Sequence, residues 1–178
     1  MDEKNPLGRK FQELVLNPPA LPPLNLDAVD VLMEARAWID KGWCQFALAK
    51  IETGTEAGTF SISDFAMELL SPEVKERCAI GSIATVVASQ VPPQLSEDYL
   101  HSWRSPAITL IDEASYLLAC AIGYLGPAPG YEQDACSMAI PWRIFTATWN
   151  DAEGRTKEEV LAKIDEAIAL GLSERTDG

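Results

Sequence analysis

A single histidine, His101, serves all 178 residues. Nucleophilic catalysis by serine or cysteine normally needs an adjacent base, so a hydrolase of this type would have to be centred on His101. That enzyme reading ranks third, behind a protein-binding and a small-molecule-binding role, because a lone histidine is more often structural or exposed. Phosphate-cradling GxxxxGK[ST], nucleophile-elbow GxSxG, dinucleotide GxGxxG and zinc-protease HExxH patterns are all missing. The acid pairs Glu97/Asp98 and Asp112/Glu113 are sequence neighbours, which do not share a helix face and so form no ready dyad.

Cysteine is sparse and scattered. Cys44, Cys78, Cys120 and Cys136 contain no CxxC pair, so a four-ligand zinc site would have to assemble from distant segments. Cys78 and Cys120 lie in apolar runs, where a free thiol behaves as a small hydrophobe. Buried thiols are the preferred reading, and neither a metal nor a cofactor is expected.

Basic residues are outnumbered. Fourteen Lys and Arg face 27 Asp and Glu, for a net charge of −13, which opposes binding to a phosphate backbone. The excess is spread along the chain, so it reads as a solubilising surface rather than a nucleic-acid decoy, and no nucleic-acid partner is expected. No uninterrupted apolar run spans a bilayer either. The stretch 77–97 has no charge between its ends but is broken by Gly81, Ser82, Thr85, Ser89, Gln90, Pro92 and Pro93, whereas crossing takes about 20 apolar residues. With a polar start at 1–10 and no apolar stretch behind it, a cytoplasmic protein without membrane contact is expected.

What is present is ordinary globular material, 47% hydrophobic and 23% charged, enough for one packed core. The expected organisation is a proline-rich arm at 1–26, one helical domain at 27–172 and a flexible tail at 173–178. The fold class is all-α or nearly all-α, with at most one short hairpin. The arm holds Pro6, Pro18, Pro19, Pro22 and Pro23, which limit helix to a short piece at 9–16. Leu16, Leu21, Leu24 and Leu26 favour packing on the chain's own domain over a proline-rich docking motif.

Asp27 caps an expected helix over 28–41, whose stripe is Val31, Leu32, Ala35, Trp38 and Ile39 and whose stop is Gly42. Residues 43–50 read as a short strand or hairpin start, with turns at 53–55 and 58–59. A short helix is expected at 63–70, and Ser71-Pro72 reads as the start of another. Segments 78–88 and 114–125 are apolar all round and are expected to cross near the centre, with small residues such as Gly81 and Ser82 allowing close contact. A break at 126–130 precedes a helix candidate at 139–148. Thr156 and Glu159 form a capping box for the last helix, which Gly171 is expected to close.

Two clusters stand out. The first is Trp149-Asn150-Asp151 with Arg155, an aromatic, an amide, a carboxylate and a guanidinium on one loop before a helix. It could hold a small polar ligand, with Arg155 pairing an anion and Trp149 stacking on it. The favoured reading is structural: Asn150 and Asp151 closing an Asx turn, Trp149 anchoring the loop, Arg155 pairing with Asp151 or Glu153. The second cluster, Gly42-Trp43-Cys44-Gln45, is either a rim of the same pocket or a helix terminator followed by a buried tryptophan. The latter is preferred.

These landmarks together, Gly42-Trp43-x-Gln45, Cys78-Ala79-Ile80-Gly81-Ser82-Ile83, Trp149-Asn150-Asp151 and Arg155-Thr156-x-x-Glu159-Val160, resemble an uncharacterised family of small bacterial and phage proteins. The pattern there runs roughly GW-Q-G-A, C-x-x-G-A-[LI], W-N-D, R-T-x-x-E-V. This sequence departs in carrying Phe46 where glycine is usual and Ser82 where alanine is. The resemblance implies a helical fold and a bacterial or phage setting, and lends no activity. The functional expectation is a non-enzymatic accessory protein that binds another protein or itself. The rival is a small-molecule or nucleotide-binding, sequestering protein. Candidate binding residues in either case are Trp43, Gln45, Trp149, Asn150, Asp151 and Arg155.

Overall fold

Asp27 begins the first helix, α1 (Ala28–Lys41), by accepting from the backbone N–H groups of Val29 and Asp30 while the Asp30 carboxylate accepts from the N–H of Asp27. This reciprocal cap satisfies donors that a helix start leaves open. The bounds, cap and stop match the sequence expectation. The computed structural model describes residues 23–51, 68–92, 105–129 and 140–176. The expected helix at 9–16, the turns at 53–59, most of the helix at 63–70, His101 and Cys136 lie outside them.

After α1 come β1 (Ala49–Ile51), a single 3-10 turn (Glu68–Leu70), β2 (Val74–Arg77), α2 (Ala79–Gln90), α3 (Pro106–Ile122), α4 (Pro141–Asn150) and α5 (Lys157–Thr176). The described residues are mostly helical, with one two-stranded antiparallel sheet that pairs Ala49 with Arg77 and Ile51 with Val74 across an irregularity. The Ser71-Pro72 expectation is corrected. The pair opens a turn, and Val74 to Arg77 form a strand instead of a helix. Four residues are too few to sustain a helix alone, and the partner strand supplies ladder bonds that propensity does not register.

α2 is buried from Ala79 to Ala88 and packs on both α1 and α3, as expected of a helix apolar on every side. Gly81, however, makes room for a carbonyl rather than a helix: a Cβ there would collide with the Leu48 oxygen, the acceptor for the Cys78 N–H at 3.0 Å. α3 starts eight residues before the expected 114, capped by Ser105 with Pro106 in its first turn. It stops at Gly123, whose φ of 110° is a left-handed terminator.

α5 is also longer than expected. It runs through Gly171 to Thr176 and so includes much of the segment set apart as a tail. Gly171 is buried, with Val29 and Leu117 where a Cβ would go. Its role is close approach of α5 to α1, not termination. Along the same face Arg36 bonds Asp165 at 2.6 and 3.0 Å, and Arg175 pairs with Asp27. Leu24 and Leu26 pack against the main core; Leu16 and Leu21, on which the self-packed arm also rested, lie outside the described residues. A smaller cluster of Ala119, Ile140 and Trp142, flanked by Tyr116 and Tyr124, fills the α3–α4 contact.

Candidate functional site

Both unusual sequence clusters lie in one place, and Asn150 joins them. It is the last residue of α4 and fully buried. Its Oδ1 accepts from the Trp43 indole Nε1 at 2.9 Å and from the Ala79 backbone N–H at 3.3 Å. Its Nδ2 donates to the Cys44 carbonyl at 3.2 Å and to Asp151 Oδ1 at 2.8 Å. Turning the amide over would set its N–H groups against two donors, so its orientation follows from its surroundings. One side chain thus ties the loop after α1, the start of α2 and the end of α4.

Gln45 and Asp151 complete the seam. Gln45 Nε2 donates to the carbonyls of Asn150 and Ala152 at 2.9 and 3.0 Å, and Asp151 Oδ1 accepts from the Phe46 N–H at 2.9 Å. The expected Asx turn is therefore corrected, since both side chains reach across to residues 43–46 and 79. The loop carrying Trp43 and Gln45 is held from its other side as well. Arg77 N donates to the Gly42 carbonyl, and Cys44 N to the Arg77 carbonyl.

Arg155 does not pair with Asp151 or Glu153 as expected. Its guanidinium lies 4.0 Å from the Trp149 ring centroid, its Nε donates to the Trp149 carbonyl at 3.1 Å, and its Nη1 is 3.3 Å from Glu159. The expected capping box is present, with Thr156 and Glu159 exchanging bonds at 2.9 and 3.2 Å. Trp149 is partly buried against the core. The six candidate residues are therefore brought together, and their described polar contacts run to one another, to nearby backbone and, for Arg155, to the Glu159 carboxylate.

Cys44 and Cys78 flank this seam as buried thiols. Burial pushes the Cys78 thiol up to about 12 and the Cys44 thiol higher still, with the neighbouring Cys78 adding to the latter. Neither supplies a thiolate nucleophile near neutral pH. Cys78 has a local task instead: its sulfur accepts from the Gly81 N–H at 3.3 Å as the N-cap of α2. Among the described residues, no three His, Cys, Asp or Glu side chains are grouped to hold a metal ion. No described helix is long and apolar enough to cross a membrane.

Sequence reasoning missed Phe46. It is the only described non-glycine residue with positive φ, 62°, and it is 65% exposed. The signal was available, since the resembled pattern has glycine at this position and glycine alone enters left-handed backbone without strain. Two buried arginines were also missed. Arg77 lies 4.3 Å from the Trp38 ring centroid and donates to Thr85 Oγ1 and the Leu69 carbonyl. Arg143 meets Asp112 at 2.6 Å, and Trp142 Nε1 donates to the same carboxylate at 3.3 Å.

No curated protein and no solved structure matches the chain. One family model does, over residues 23–170, a range that takes in every described residue of the Asn150 seam. The chain belongs to that family, a family of unknown function designated DUF6197.

Proposed function

We infer that this chain is a non-enzymatic accessory protein that binds a protein partner, with Phe46 as the anchor. The observation that carries this reading is the left-handed backbone of Phe46 beneath a largely exposed ring. Holding an L-residue there costs about 1–2 kcal/mol, and exposing an aromatic ring forfeits its burial. Strain of this kind persists where surrounding structure over-determines it, and it collects at functional positions. Here the Asn150 seam over-determines it, because Asp151 holds the Phe46 N–H while Gln45 and Trp43 fix the residues before it. A rigid aromatic side chain on a pre-ordered loop is what a binding hot spot requires.

Phe46→Gly tests the proposal, because it removes the ring and relieves the backbone. Wild type and variant are used to capture partners from cells that express the chain, and both are sized in solution. Capture, or self-association, by wild type that is lost in the folded variant supports the reading. Equal behaviour of the two, or a strictly monomeric wild type that captures nothing, contradicts it. Thermal-shift screening against nucleotides and metabolites addresses the rival small-molecule reading. A ligand at 100 times its Kd would stabilise the fold by about 2.7 kcal/mol, and no such shift is expected.

A further inference from the structure

A second polar group lies inside the protein, adjoining the Asn150 seam, where α2, α3 and α4 pack against one another. Asp112 of α3 and Arg143 of α4 form an ion pair at 2.6 Å with almost no solvent exposure. Ser115 follows Asp112 by three positions and Thr146 follows Arg143 by three, so each hydroxyl shares a helix face with a member of the pair. α2 brings the third hydroxyl. Its first residue, Ala79, bonds Asn150 at the end of α4, and α2 and α4 are in contact. Ser82 follows Ala79 by three positions and Thr146 precedes Asn150 by four, so each hydroxyl stands about one helical turn from that bond.

Ser82, Ser115 and Thr146 are each 0% exposed, and none of their hydroxyl oxygens has a hydrogen-bond partner among the described residues. The other two hydroxyls of α2 bond back into their own helix: Thr85 Oγ1 donates to the Gly81 carbonyl at 2.7 Å and Ser89 to the Val86 carbonyl at 2.6 Å. Ser82 departs from that pattern within its own helix. A buried hydroxyl offers one donor and two acceptor positions, and leaving all three unmet is costly. A buried water typically makes about three hydrogen bonds to such groups.

We propose that the α2–α3–α4 junction is an internal water-binding site, in which water bridges Ser82, Ser115 and Thr146 beside the Asp112–Arg143 pair. The occupant is neutral, because Asp112 and Arg143, the described charged residues at the site, pair with each other, and small because the hydroxyls stand within direct helix packing. Water satisfies both conditions, and it can donate to one hydroxyl while accepting from another.

The test is water-17O relaxation dispersion on the full chain, which registers waters held long enough to tumble with the protein. The hydroxyl-free variant, Ser82→Ala/Ser115→Ala/Thr146→Val, is expected to lose the amplitude of at least about one long-lived water. An amplitude equal to that of wild type overturns the proposal. If the triple variant does not fold, a high-resolution crystal structure of the wild type decides. Ordered water within hydrogen-bond distance of at least two of the hydroxyls supports the site; hydroxyls turned into their own helices overturn it. Native mass spectrometry separates water from a retained metabolite, and a stoichiometric small-molecule adduct that vanishes in Thr146→Val also overturns it.

Discussion

The indole of Trp43 donates to the side-chain oxygen of Asn150 at 2.9 Å across 107 positions of sequence. The same oxygen accepts from Ala79, a third distant segment. Residues that stand out by their chemistry, an indole, a carboxamide and a carboxylate near two thiols, are thereby used to fix how α1, α2 and α4 meet. Their burial makes that arrangement consequential, since a polar group deprived of its partner inside a protein costs about 1–3 kcal/mol.

Replacing Phe46 by glycine is expected to stabilise the fold. The left-handed backbone at φ 62° costs an L-residue about 1–2 kcal/mol, and glycine gives back part of that gain through a freer unfolded chain. A net increase of about 1 kcal/mol should appear in urea denaturation, with a Tm raised by about 2–4 °C. A lower Tm would mean that the ring contributes more to the fold than its exposure indicates.

Gly171→Ala is expected to destabilise despite the roughly 1 kcal/mol helix-propensity gain. The added methyl would press on Val29 Cγ2, across the α1–α5 contact, and overpacking costs about 1–3 kcal/mol. Val29→Ala should partly relieve that pressure, so the double variant should be less destabilised than the sum of the singles. Strict additivity in a double-mutant cycle would show that the two positions do not touch.

Acid should weaken the caps of α1 and α5. Burial works against ionisation of Asp27, but the Asp30 N–H, Arg175 and the Val29 N–H together hold its carboxyl below the usual range. The Thr156 N–H, opposed by slight burial and helped by Arg155, does the same for Glu159. A carboxyl lowered on folding contributes stability above its unfolded pKa and loses it as pH falls through the folded value. Wild type should therefore exceed Glu159→Gln in Tm near neutral pH, and the gap should close as pH falls below about 4. A gap that does not change with pH would contradict the assignment. Asp112 has the opposite sign, because burial raises its carboxyl against the pull of Arg143, so its ionisation costs stability as pH rises.

The helices with local start signals were legible in the sequence. Asp27 with Gly42 marked α1 and Thr156 with Glu159 marked α5, because caps are written within a few residues. β2 was not, because a strand depends on its partner and Ser71-Pro72 resembles a helix start. Gly171 was misread for a related reason, as only the neighbouring helix reveals that its missing Cβ leaves space for Val29. The candidate residues were found as two clusters, but their union depends on bonds spanning more than 70 positions, which no local pattern records. The strain at Phe46 was hinted at by one substitution against the resembled pattern.

Equilibrium denaturation of Asn150→Ala puts the role of the seam to the most direct trial. The truncation strands the Trp43 indole N–H, the Ala79 N–H and the Cys44 carbonyl together. A loss of about 3 kcal/mol or more is expected, overlapping with that of Trp43→Phe instead of adding to it. A loss below about 0.5 kcal/mol, the scale of an ordinary surface change, would show that Asn150 does not hold these helices together.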